Sequence, residues 1–153
     1  ISFDGKVPVG VMIETPAAAH TCDLMASRVD FFCLGTNDLI QYYLVIDRSD
    51  QSVAHLYNPF HPAILRCLHQ VYTLLQYSGR PVTVCGEMAA DPAAAAVLLG
   101  LGFTSLSVSL AAYPRMKEAI GSLSVGKLRE LAGEIMKMDS PQDVEDRVRS
   151  TIA

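Results

Sequence analysis

Val9-Gly-Val-Met-Ile-Glu-Thr-Pro-Ala-Ala-Ala19 and Asp30-Phe-Phe-Cys-Leu-Gly-Thr-Asn-Asp-Leu39 decide the fold. In each, a short apolar run closes on an acid at a turn, and a helix start follows. The first run, Val7 to Ile13, is apolar nearly throughout, as expected of a strand buried on both faces. Thr15 suits an N-cap and Pro16 a first helical position, so an Ala-rich helix is predicted to about Arg28. Phe31 to Leu34 predicts a second strand, Gly35-Thr-Asn a turn, and the residues to about Tyr43 a short helix.

The same alternation continues outward. Val45 to Phe60 reads as a long loop, rich in Asp, Ser, Asn and Pro. His61-Pro62 opens a helix that Gly79 ends. Val82 to Cys85 predicts a third strand. Asp91-Pro92 opens a helix through Leu99, ended by Gly100 and Gly102. Leu106 to Val108 predicts a short fourth strand and Tyr113 to Ile120 a helix. Ser124 and Ser140-Pro141 cap two last helices. Regular alternation with short links implies a parallel sheet of four β-α units. A full eight-stranded TIM-type barrel takes about 250 residues, so the expected fold is α/β, half of a (β/α)8 barrel with C-terminal helices. The chain is read as one domain over residues 1–153.

In parallel α/β folds the chemistry collects at the carboxyl ends of the strands. Glu14, Asn37, Asp38 and Cys85 all fall there, and that shared position is the main argument for a site. Two acids at the ends of neighbouring strands can share one hard cation. Mg²⁺ suits them, since it takes oxygen ligands and keeps positions for water and a phosphate.

Composition narrows the function. The chain has 153 residues, is 50% hydrophobic and 18% charged, and carries a net charge of -4. With no basic stripe, nucleic acid and anionic membranes are poor partners. No apolar run approaches the roughly 20 residues of a membrane helix. The opening Ile1-Ser-Phe-Asp-Gly-Lys has no signal-peptide layout and no Met, which reads as a piece cut from a longer protein. Cys22, Cys33, Cys67 and Cys85 show neither metal spacing nor a disulfide framework, so a reduced, cytoplasmic setting is expected.

Each candidate has a bland rival. Glu14 could simply be a carboxylate capping the nearby helix start, where the dipole favours negative charge. Asn37-Asp38 could be an Asx turn. Arg48 could be a solvated loop arginine, or one paired with Asp47 or Asp50. Cys85 could be a small buried hydrophobe. His55, His61 and His69 read as structural, at a loop, a helix start and a helix face. The occurrence of the candidates together is what raises the functional readings.

The combination resembles the C-terminal phosphoenolpyruvate-binding barrel of the PEP-utilising enzymes, and among them the Enzyme I group of bacterial PEP-protein phosphotransferases with its nitrogen-related paralogues. The resemblance runs from Val9 to about Lys117. It rests on Ile13-Glu-Thr-Pro-Ala-Ala, Asp30-Phe-Phe-Cys-Leu-Gly-Thr-Asn-Asp-Leu, Val45-Ile-Asp-Arg, His55-Leu-Tyr-Asn-Pro, His61-Pro-Ala-Ile-Leu-Arg and Val84-Cys-Gly-Glu-Met-Ala. It implies that Glu14 and Asp38 bind Mg²⁺, that Asn37 hydrogen-bonds the substrate phosphate and that Arg48 clamps it. Cys85 would protonate the enol carbon of departing enolpyruvate. The implied partners are phosphoenolpyruvate, an upstream barrel half, a phosphohistidine domain of the parent enzyme and a phosphocarrier protein. Cys33 stands where the family usually has Ser, and Ala90 where Gly is common. No histidine here matches the phosphohistidine motif, so the isolated chain is expected to be inactive. A pyruvate phosphate dikinase or PEP synthase barrel is the sister reading, and a non-catalytic PEP-sensing or dimerisation module the reading of another class. Four strands in barrel order leave two unpaired edges and a curved apolar face, which implies a homodimer. The alternative is a flatter sheet whose open face the last two helices cover.

Overall fold

The computed structural model describes residues 4–153. Its sheet is parallel, with strands in the order β1 (Gly10–Ile13), β2 (Phe31–Gly35), β3 (Val82–Cys85). Ile13 pairs with Leu34, and Leu34 with Val84. Leu106 adds a single parallel bridge to Val84 in place of a fourth strand. Two backbone bonds make it: Val84 donates to the Ser105 carbonyl, and Ser107 donates to the Val84 carbonyl. Pairing stops there because β3 ends at Cys85 and Gly86, at φ 102°, turns the backbone out of the ladder.

The first strand is shorter than its apolar run. Pro8 has no N–H for a ladder, and Val9 is bound instead by Asp30, whose Oδ2 accepts from Val9 N at 2.8 Å. The first helix is broken into α1 (Pro16–His20) and α2 (Cys22–Met25). Thr21 causes the break: its hydroxyl donates back to the Ala17 carbonyl at 2.8 Å, a bond that competes with helical geometry. α3 (Thr36–Leu44) ends at Val45, which is left-handed at φ 55° and opens the long loop. That loop holds only a 3₁₀ turn, Ala54–Leu56. α4 (Pro62–Leu75) is capped by His61, whose Nδ1 accepts from Ala63 N at 3.1 Å, and ends before the Gly79 turn. α5 (Glu87–Ala90) follows β3 directly and was not legible in the sequence.

α6 (Pro92–Leu101) is the pivot of the helical layer, with Ala93 to Leu98 all buried. Asp91 caps it by accepting from Ala94 N at 2.8 Å, and Gly102 ends it at φ 111°. α7 (Tyr113–Gly121), α8 (Val125–Ile135) and α9 (Pro141–Ile152) complete the chain. α8 and α9 pack against α6 and each other. The apolar core of Ile13, Phe32, Leu34 and Val84 continues through these helices to Leu131, Ile135 and Val148.

Strand alternation divides the sheet. Val11, Ile13, Phe32, Leu34, Val82 and Val84 face the helices and the core. Met12, Cys33 and Thr83, in register, face the other way, and Thr83 shares a 3.0 Å hydroxyl contact with Ser105. This face stays open, with Met12 43% exposed, because the last two helices extend the layer on α6 and do not fold over the sheet. The open face is therefore mixed in character and not uniformly apolar, a correction to the expectation from four buried strands.

Candidate functional site

Register builds the site. Gly35 pairs with Cys85, and Glu14 follows Ile13, so Glu14, Gly35 and Cys85 form one row across the strand ends. Glu14 does not cap α1. Thr15 does, accepting from Ala18 N at 3.2 Å. The Glu14 side chain lies instead across Gly35, where an added Cβ would stand 2.6 Å from Oε1. Only a glycine at 35 leaves the carboxylate that path toward Cys85.

The turn between β2 and α3 reaches across to the end of β3. Thr36 Oγ1 donates to the Cys85 carbonyl at 2.8 Å. Asn37 Oδ1 accepts from Glu87 N at 2.8 Å, so Asn37 makes a long-range bond and not a local Asx turn. Accepting through Oδ1 leaves its two N–H donors for another partner. Arg48 Nη1 lies 3.6 Å from Glu87 Oε1. Neither Asp47 nor Asp50 takes that role: Asp47 accepts from Ser49 and Asp50 from Ser52, bonds that hold both carboxyls below the usual range. Glu87 therefore touches both of the residues proposed for phosphate, through its backbone N–H and its carboxylate.

Cys85 is partly buried at the end of β3, and its thiol makes only a long contact, 3.6 Å, to the Leu34 carbonyl. Burial pushes the thiol above its ordinary range, and Cys33, Glu14 and Asp38 push it further. A thiol among negative groups stays protonated near neutrality and can act as an acid. Tyr57 lies within reach of Glu87, Arg48 and Asp38. Burial and then Glu87 raise its hydroxyl to about 12, with Arg48 opposing and Asp38 adding. A cleft of about 340 Å³ runs on from Tyr57 and Glu87 to Glu145 and Arg149 of α9, and none of Glu14, Asp38 or Cys85 lines it.

Thr36, Gly35, Gly86, Glu87 and Tyr57 shape the site and were not singled out from sequence. The available signal was local: Glu87 and Gly86 adjoin Cys85, and Gly35-Thr36 adjoins Asn37 in the same quoted motifs.

Glu14 and Asp38 suit a hard divalent cation. Neither forms an ion pair or side-chain hydrogen bond among the described residues, so their oxygens keep acceptor capacity. Among the described residues no group of three or more His, Cys, Asp and Glu is placed to hold a metal ion, so any cation here would rest on these two acids with water or substrate.

An open parallel α/β sheet with acids, an amide, an arginine and a thiol gathered beyond its strand ends belongs to the class of domains that bind ligands at that edge. A family model described as PEP-utilising enzyme, PEP-binding domain, matches residues 1–125. The chain belongs to this family of PEP-utilising enzymes. It is 38% identical over 150 residues to a phosphoenolpyruvate-protein phosphotransferase of Buchnera aphidicola subsp. Schizaphis graminum, covering 98% of this chain and 26% of that protein. Proteins of the same name from Haemophilus influenzae and Priestia megaterium are 38% and 41% identical, over 95% and 99% of this chain and 25% and 26% of their own lengths. The chain thus spans about a quarter of the relatives it matches.

The electrostatics of Cys85 can be read directly. Alkylation by iodoacetamide, followed on the Cys85 peptide so that Cys33 is counted apart, should reach half its limiting rate at a higher pH than a free cysteine. In the double variant Glu14→Gln, Asp38→Asn that midpoint should move to lower pH, because removing negative charge favours the thiolate. An unmoved midpoint would mean that neither carboxylate acts on the thiol.

Proposed function

We propose that this chain is the phosphoenolpyruvate-binding part of a PEP-protein phosphotransferase of the Enzyme I type, the second half of its (β/α)8 barrel. The observation that carries the reading is the convergence of Glu14, Asp38, Asn37, Arg48 and the partly buried Cys85 at one sheet edge in a member of the PEP-utilising family. That the similar proteins are phosphoenolpyruvate-protein phosphotransferases favours this over a dikinase, a PEP synthase or a sensing module.

In the proposed reaction the Asn37 N–H donors and the Arg48 guanidinium hold the phosphate of PEP. The bond between phosphorus and the enol oxygen breaks, and the phosphoryl group passes to an imidazole nitrogen of a histidine on another domain. The enolate electron pair takes the proton of the Cys85 S–H at carbon, pyruvate leaves, and the thiolate recovers a proton from water. Glu14 and Asp38 would hold Mg²⁺, which when bound supplies positive charge against the phosphate and enolate oxygens. His61 has a structural task, its Nδ1 accepting from Ala63 N at the start of α4. A phosphocarrier protein would take the phosphate onward, in the cytoplasm. No helix among the described residues is long and apolar enough to cross a membrane.

The chain is also proposed to self-associate as a homodimer. Among the described residues nothing pairs with the outer edges of β1 or of the Leu106 bridge, and such edges template strand pairing. Light scattering across a dilution series should show a mass above that of one chain, falling on dilution. A single-chain mass at every concentration would dismiss the dimer.

Metal binding is expected to be weak and to depend on both acids. Mn²⁺ titration followed by water-proton relaxation should lose most of its enhancement in Glu14→Gln and in Asp38→Asn; parent-like binding by both variants would sink the shared-cation site. In the full-length protein, Cys85→Ala should cut pyruvate release from PEP by about a hundredfold or more while PEP binding stays near that of the parent, because the thiol acts on carbon and not on phosphate. Undiminished turnover would place the proton donor elsewhere.

A further inference from the structure

We infer that Thr36 is the positioning residue for Cys85, holding the thiol's backbone in place through the Cys85 carbonyl. This rests on the reading of Cys85 as the proton donor. Thr36 is 0% exposed and is the one buried polar residue among those described. A buried hydroxyl needs a partner, and the first turn of α3 would be the nearest one. Thr36 reaches instead across the sheet to a carbonyl 49 residues away, at 2.8 Å. That carbonyl closes β3, just before the chain leaves the ladder at Gly86.

The surrounding geometry supports a clamp. At Gly86, φ is 102°, and a Cβ there would stand 2.5 Å from Thr36 Oγ1 and 2.8 Å from Asn37 Oδ1. The backbone thus closes directly onto these two side chains. Asn37 holds the next residue, through Glu87 N at 2.8 Å. Two adjacent residues of one turn therefore fix the backbone immediately after the Cys85 Cα on both peptide groups. The thiol has no comparably short bond of its own, only the 3.6 Å contact to Leu34. Its aim is set by the backbone, and the backbone at that point is held by Thr36. The two residues divide the work: the Thr36 hydroxyl serves the proton donor, and the Asn37 amide keeps its N–H groups for phosphate.

The test uses the full-length protein with PEP, Mg²⁺ and its own histidine domain. Cys85→Ala is the first arm: if it leaves pyruvate release intact, the donor reading itself fails, whatever Thr36 does. With that arm lost as expected, Thr36→Val, which keeps the shape and removes the hydroxyl, should lower kcat about tenfold or more and leave the KM for PEP within about threefold, since a small misplacement of a reacting group costs rate more than binding. Thr36→Ser, which restores the donor, should recover kcat to within about threefold of the parent. An unchanged kcat in Thr36→Val, a serine variant as impaired as the valine one, or a KM that rises in step with the fall in kcat would each overturn the inference. If Thr36→Val does not fold by its thermal transition, Thr36→Ala removes the same hydroxyl without filling its place. It should lower kcat at least as far with the KM for PEP within about threefold, and a parent-like kcat there would overturn the inference equally.

Discussion

Three parallel strands that end nearly in step are the constraint on which the site depends. Ile13, Leu34 and Val84 share a register row, so whatever follows each strand arrives at the same edge. A parallel strand must be followed by a crossover, and here each crossover begins with a helix start within a few residues. The short turns between strand end and helix thus bring side chains from distant parts of the chain together beyond the sheet. Glu14, Asn37, Asp38 and Cys85 all lie on those turns or at their borders. The apolar rows behind them, from Phe32 and Leu34 into the helices, keep the turns from shifting independently.

The charges at this edge are uneven in strength. Glu14 and Asp38 bear on a partly buried thiol and raise its pKa, after burial itself. Arg48 and Glu87 meet at the surface, with side chains 42% and 78% exposed, and a pair of that kind is worth about 0–1 kcal/mol. Arg48 can therefore exchange Glu87 for a stronger anion at small cost. The loop that carries it starts from Val45, a β-branched residue in the left-handed region, which is uncommon and restricts how the chain leaves α3. The carboxylates and the thiol are built into the sheet edge, while the arginine is brought to it from outside.

Much of this was legible in the sequence, because helix starts are written locally. Thr15-Pro16, His61-Pro62, Asp91-Pro92 and Ser140-Pro141 each place a cap beside a proline, and in each case the side chain accepts from its own first turn. The candidate acids and the thiol stood out because they sit where an apolar run gives way to such a start. Their separate roles came from family resemblance and not from the pattern. The clamp of Thr36 and Asn37 on the end of β3 was not legible, since its partners lie 49 and 50 residues away and no local periodicity records them. Ser105-Leu-Ser-Val108 carries the alternation of a strand, yet only Leu106 is paired, because the length of a strand is set by its neighbour and β3 runs out first. The division of the first helix turned on one hydroxyl, Thr21, whose choice of partner composition does not dictate.

The setting of Cys85 also bears on how long the protein survives oxidative stress. Peroxides and electrophiles attack the thiolate, and the thiolate is the form that burial and the neighbouring acids suppress. A cysteine whose surroundings favour the thiol over the thiolate is, by the same physics, slow to become a sulfenic acid. The site thus has a chemical durability that a nucleophilic cysteine, activated by lowering its pKa, must forgo.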